Sequence, residues 1–292
     1  MEISRAVIES ILHVGAKRVM LEQARDTLET IVLGASQGDQ AFDPAHLPHS
    51  FNLCFRSLDL KHSYYLYQRA IEMCPNLKNI VMFYSVSSPG HMLEFSPGES
   101  DIGAVLSALF DLGVEYQSDH LNQLTQALTQ QLREGLAEAL IREAAGLDGR
   151  AGSLPAHEDP ADAAEFKRRM LSHIKSNYEA GADYYLLKIL ALANRLGHGV
   201  VLVIPPATSV YRNTLNIRSS TLFRELIEVV GLFPWSVPIQ VINAYDDEAY
   251  EDSFFVDSDH LDAGGEGTRR LSRAIAEKVL GSKAATTAAA AR

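Results

Sequence analysis

TIVLGASQGDQAFDP, residues Thr30 to Pro44, is the stretch from which the architecture can be worked out. Ile31, Val32 and Leu33 form a short apolar run rich in β-branched side chains, and Gly34-Ala35-Ser36 breaks it. A buried parallel strand ending in a small-residue turn has this pattern. Open α/β sheets place ligands at the carboxyl ends of their strands, so Ser36 stands where a reactive side chain belongs. The plainer alternative is a strand-to-helix turn in which Ser36 is only an N-cap.

The pattern recurs on both sides. Residues 3–27 have apolar positions at helical spacing and lead into the first strand. Further strands are expected at Ser50–Phe55, Asn79–Tyr84, Gly199–Pro205 and Ile239–Asn243. A helix opened by Ser57 or Asp59 and stopped before Pro75 joins the second to the third. Strand, helix, strand with short connections predicts parallel crossovers and an α/β, flavodoxin-like three-layer sandwich around about five parallel strands. Helical pattern covers residues 101–147, 163–196 (closed by Gly197), 219–230 and 265–280. Residues 148–162, rich in Gly, Ala, Pro and charge, read as a flexible excursion. Residues 1–280 are therefore read as a single domain, with 91–185 a mostly helical insertion or cap. The low-complexity tail 281–292 is expected to be disordered.

Composition narrows the function. The chain has 292 residues, 47% hydrophobic and 22% charged, which is ordinary for a globular protein. A formal net charge of −11 argues against nucleic acid or an anionic membrane surface as partner. Two cysteines, Cys54 and Cys74, are too few for a disulfide framework and read as reduced, buried thiols. Glu2 and Glu9 interrupt the first residues, so no signal peptide is read there; no stretch has the length of a membrane span. A cytoplasmic location is the expectation.

The second informative stretch is FFVDSDHLDAGGEGT, residues Phe254 to Thr268. Asp257 precedes His260 by three residues, close enough in a loop to fold back against the ring. His260 would take a proton from Ser36 and make its oxygen nucleophilic; Asp257 would fix the tautomer and stabilise the imidazolium. Asp259 and Asp262 flank His260 and are the alternative partners. A solvated acidic loop containing a histidine is the plain alternative for the whole stretch.

With these two ends in this order, the sequence resembles the SGNH (GDSL-type) hydrolase superfamily. Gly34-Ala35-Ser36 looks like the family's first block, and Asp257-Ser258-Asp259-His260-Leu261 with Gly264 and Gly267 like its last. Asn52 to Ser57 falls where the second block belongs and Met82 to Ser87 where the third does. The likeness covers roughly residues 28–90 and 198–280. More narrowly, the chain looks like SGNH-like proteins associated with bacterial surface-polysaccharide gene clusters. The resemblance implies a serine esterase or O-acyltransferase acting on an acyl ester, an acetyl group above all, of a carbohydrate. It implies Ser36, His260 and Asp257 as the triad and neither cofactor nor metal. The sequence departs from the family in two places. Ser57 stands nearest the second block's glycine, and the third block has no asparagine, only Tyr84-Ser85-Val86-Ser87. Asn52, ahead of Ser85 or Ser87, is then expected to hold the oxyanion with the amide of Ser57 and that of Ser36 or Gln37, since one lost donor costs roughly a hundred- to a thousandfold. Should nothing replace the asparagine, the chain would be a catalytically impaired relative that binds glycan or a partner protein.

The remaining candidates have plainer readings. Arg212 and Tyr211, after the fourth strand, are placed to meet an anionic or sugar group, or else lie in a solvated loop. Asp39 is read in a helix's first turn and His62 as a surface or supporting residue. His46 and His49 lack a third metal ligand. The Gln- and Leu-rich helices leave a homo-oligomer open.

Overall fold

The computed structural model describes residues 5–96, 98–133, 163–178, 181–215, 223, 226, 228, 230–237 and 239–290. The elements in order are α1 (Arg5–Ala24), β1 (Thr30–Leu33), α2 (Ser36–Ala41), β2 (Ser50–Asn52), α3 (Leu60–Met73), β3 (Asn79–Phe83), α4 (Ser100–Phe110), α5 (Asp119–Arg133), α6 (Ala163–Tyr178), α7 (Asp183–Leu196), β4 (Gly199–Ile204), α8 (Ser209–Leu215), β5 (Ile239–Asn243) and α9 (Glu266–Ala290). Short 3-10 turns lie at Pro44–His46, Leu93–Phe95 and Asp252–Phe254.

The strands form one parallel sheet in the order β2-β1-β3-β4-β5. This is the flavodoxin-like α/β sandwich expected from the sequence. Side chains alternate across it. Ile31, Leu33, Ile80, Met82, Leu202 and Ile204 face the core shared with α1, α3, α4 and α7; Val32, Val81, Phe83, Val201 and Val203 face α2 and α9. Both faces are covered, which is why β1, β3 and β4 are continuous apolar runs. Strand order reverses between β1 and β3, and the crevice at that reversal is where such sheets bind ligands.

Several boundaries differ from the sequence expectation for local reasons. Strand β2 ends at Asn52, although amides of Leu53 and Phe55 still donate to Val32 and Gly34 at 2.8 and 3.1 Å. The helical pattern of 101–147 splits at Asp111, whose φ of 54° reverses the chain. That of 163–196 splits near Gly181, where the amides of Gly181 and Ala182 both donate to the Pro89 carbonyl at 2.9 and 2.8 Å. Gly197 closes α7 with φ 72°, as its position suggested. Helix α9 runs past Leu280 to Ala290, through an alanine-rich stretch of high helix propensity. The excursion at 148–162, and all of the 219–230 helix save residues 223, 226, 228 and 230, fall outside the described residues. Among the described residues no helix is long and apolar enough to cross a membrane.

Candidate active site

The turn after β1 is built by close packing. Gly34 has φ 146°, and a Cβ there would stand 2.6 Å from that of Phe83 on β3. A Cβ on Gly38 would meet Cys54 Sγ at 2.6 Å and the Phe83 ring at 2.9 Å. The two glycines thus press α2 onto the end of β3. Ala35 is the N-cap residue and contributes no side-chain bond. Ser36 is the first helical residue and half-exposed, and its hydroxyl does not cap.

That hydroxyl lies 2.7 Å from His260 Nε2. The His260 Nδ1 lies 2.6 Å from Asp257 Oδ2, and Asp257 Oδ1 accepts the amides of Asp259 at 2.9 Å and His260 at 2.8 Å. A carboxylate only accepts, so Nδ1 carries the proton and Nε2 accepts from Ser36. The loop is pinned at both ends. Phe255 and Leu261 form an antiparallel bridge, closed by Val256 N to His260 O and Asp262 N to Phe254 O, both 2.9 Å. Thr208, after β4, donates its amide and hydroxyl to the Ser258 carbonyl at 3.0 and 2.9 Å. Gly267 leaves room for Leu261, whose Cδ2 would lie 2.7 Å from a Cβ there.

Of the flanking acids, Asp259 approaches His260 Nδ1 only to 3.8 Å. It instead accepts from Gln37 Nε2 at 2.7 Å and Ser258 Oγ at 2.9 Å. Asp262 builds the following turn, accepting Gly265 N at 2.8 Å on its carbonyl. Asp257, Asp259 and His260 bring potential metal ligands within 4.8 Å of one another. Their ring nitrogen and carboxylates are engaged in the chain to Ser36 and the bond to Gln37.

Asn52 is not free to hold an oxyanion. It is buried, its amide nitrogen donates to the carbonyls of Gly38, Asp39 and Phe42 at 3.1, 3.3 and 3.1 Å, and its oxygen accepts Cys54 N at 3.0 Å. It ties down the end of α2. Ser57 has φ 55°, and its hydroxyl donates to Glu99 at 2.7 Å. Ser85 is buried, with its hydroxyl 3.2 Å from those of both Ser87 and Ser88. Arg212 is half-buried and donates to the Tyr245 carbonyl at 3.3 Å. Gln37, Ser85, Pro206, Tyr211, Tyr245 and Asp259 are among the residues lining a small pocket between the ends of β3 and β4 and the loop of His260.

Some polar partners were invisible in the sequence. Lys17 on α1 is buried, 2.6 Å from Asp39 Oδ1, and lies over the Phe55 ring at 4.8 Å. Burial raises the Asp39 carboxyl above its usual range, and the charges of Lys17 and His260 only partly oppose it. His13 Nε2 lies 3.9 Å from Asp39 Oδ2, yet burial and then Lys17 lower its pKa to about 3. Burial and the neighbouring Lys17 charge thus keep His13 neutral. His62 is fully buried rather than a surface residue; it bridges Asp59 at 2.7 Å and Tyr116 at 2.9 Å. Cys54 and Cys74 are free and buried, and burial raises both thiols. His46 lies 4.0 Å from Asp43.

Neither the scan against protein-family models nor the search of curated proteins finds a match to the chain.

Proposed function

We propose that the chain is an SGNH-type serine esterase or O-acyltransferase that acts on acyl, chiefly acetyl, esters of a carbohydrate. The observation that carries this reading is the continuous hydrogen-bonded chain Ser36–His260–Asp257, closed between residues 224 positions apart. Ser36 attacks the ester carbonyl while His260 Nε2 takes its proton. The alkoxide of the sugar then leaves with that proton, and an acyl-Ser36 ester remains. Water or a second sugar hydroxyl, deprotonated by the same nitrogen, releases the acyl group as acid or as new ester. Asp257 orients the ring and stabilises the imidazolium.

The amides of Ser36 and Gln37 head α2, where no earlier turn supplies an acceptor, and they lie beside the nucleophile. Ser57 takes the left-handed φ that glycine favours, which supports its standing in for the second-block glycine. With Asn52 committed to the carbonyls of α2, Ser85 or Ser87 is left to substitute for the missing asparagine.

Acetate release from an acetylated oligosaccharide tests the proposal. Wild type turns over, and Ser36→Ala and His260→Ala each lose about a thousandfold or more. Undiminished turnover in Ser36→Ala would remove Ser36 from the chemistry. A wild type that binds the oligosaccharide without turnover would be the impaired, glycan-binding relative.

A further inference from the structure

A small pocket lies between the ends of β3 and β4 and the loop of His260, with free space of about 10 Å³, the room of about one water molecule. Its wall is mostly apolar, with Pro206 and Phe223 prominent. Two of its residues nevertheless carry buried polar atoms with no hydrogen-bond partner among the described residues: Gln37 Oε1 and Tyr245 Oη. Both side chains are more than nine-tenths buried, at 6% and 3% exposure. The orientation of Gln37 follows from chemistry. Its Nε2 donates to Asp259 at 2.7 Å, and a flipped amide would set oxygen against carboxylate. The free end is therefore an acceptor. Burial raises the Tyr245 phenol, so it stays a hydroxyl that gives or accepts a proton. Leaving such groups unmade costs stability, which an unfilled ligand position explains.

We propose that this pocket is a specificity subsite for a short hydroxylated arm of the substrate, next to the scissile ester. A hydroxyl gives its proton to Gln37 Oε1 and receives one from Tyr245 Oη. A methyl does neither, and a carboxylate would face Asp259. That room, about one water molecule, takes the hydroxyl of a short arm and neither a longer chain nor a sugar ring. The arm belongs either to the acyl group or to the alcohol. The inference rests on the esterase reading of Ser36.

Two matched pairs of esters separate the sources: phenyl glycolate against phenyl acetate, and the monoacetate of trans-cyclohexane-1,2-diol against cyclohexyl acetate. Wild type is expected to favour the hydroxylated member of one pair by about tenfold or more in kcat/KM. Tyr245→Phe and Gln37→Met should each bring that ratio towards one. Tyr245→Phe keeps the ring packed on Phe223, with centroids 5.0 Å apart, and should melt no lower than wild type. A fluorophosphonate label on wild-type Ser36 together with equal rates within both pairs would overturn the subsite alone, leaving the pocket to ordered water. A preference unchanged in both variants would overturn it too. No label and no turnover would remove the esterase reading, and the subsite with it.

Discussion

Asp257 decides which nitrogen of His260 carries the proton. Its Oδ2 faces Nδ1 while its Oδ1 holds two backbone amides of the same loop, so orientation and tautomer are fixed by one side chain. Asp257→Asn can still accept the two amides, but its NH₂ then faces Nδ1 and turns the ring into the tautomer that cannot take the Ser36 proton. We expect kcat to fall by about 10³- to 10⁴-fold with an unchanged circular dichroism spectrum; a loss below tenfold would show that Asp259 takes over the role. This part of the site was legible because it is local. A three-residue spacing puts Asp257 within reach of His260, and small residues after an apolar strand expose Ser36. The partners Gln37, Lys17 and His13 were not legible. Their roles depend on contacts with residues far along the chain, and an isolated lysine in an amphipathic pattern gives no sign of being buried.

Helix α2 is six residues long and is held in place by its neighbours rather than by its own propensity. Gly34 and Gly38 seat it on Phe83, Lys17 pairs with Asp39 in its first turn, and Asn52 gathers the carbonyls of its last turn. Asn52→Ala should therefore destabilise the protein by about 2–4 kcal/mol in urea unfolding, since buried carbonyls lose their donor. The same variant, kept folded, should lose less than tenfold in rate. An oxyanion donor would cost about a hundred- to a thousandfold, so the ratio of the two effects separates the roles. The sequence put Asn52 in the second strand but could not say that the strand stops there or which way its amide is spent. Strands β1, β3 and β4 were readable because burial on both faces makes them unbroken apolar runs. The breaks at Asp111 and Gly181 were not, because a single left-handed residue or a shared carbonyl ends a helix without changing the hydrophobic pattern.

At the scale of the whole molecule, the sheet brings the first strand's turn and the last loop to one crevice, and buried charge beneath it links α1 to α2. This has a consequence for acid stability. His13 titrates near 3 when folded but near 6.5 when unfolded, so between those values the unfolded chain binds the extra proton. Stability is then fully present above about pH 6.5 and is lost as pH falls, by up to about 1.4 kcal/mol per pH unit. Asp59, held below the usual carboxylate range because bonds and charge from His62 and the Leu93 amide outweigh its burial, adds a further loss only below about pH 4. Urea midpoints between pH 7 and 4.5 should fall for wild type and stay flatter for His13→Gln; equal slopes would assign the acid limb elsewhere. The central claim, though, is that these long-range constraints activate one serine. Fluorophosphonate labelling read by intact mass tests it most directly. A single adduct is expected on the wild type and none on Ser36→Ala. No adduct on the wild type, or one that persists in Ser36→Ala, would contradict it.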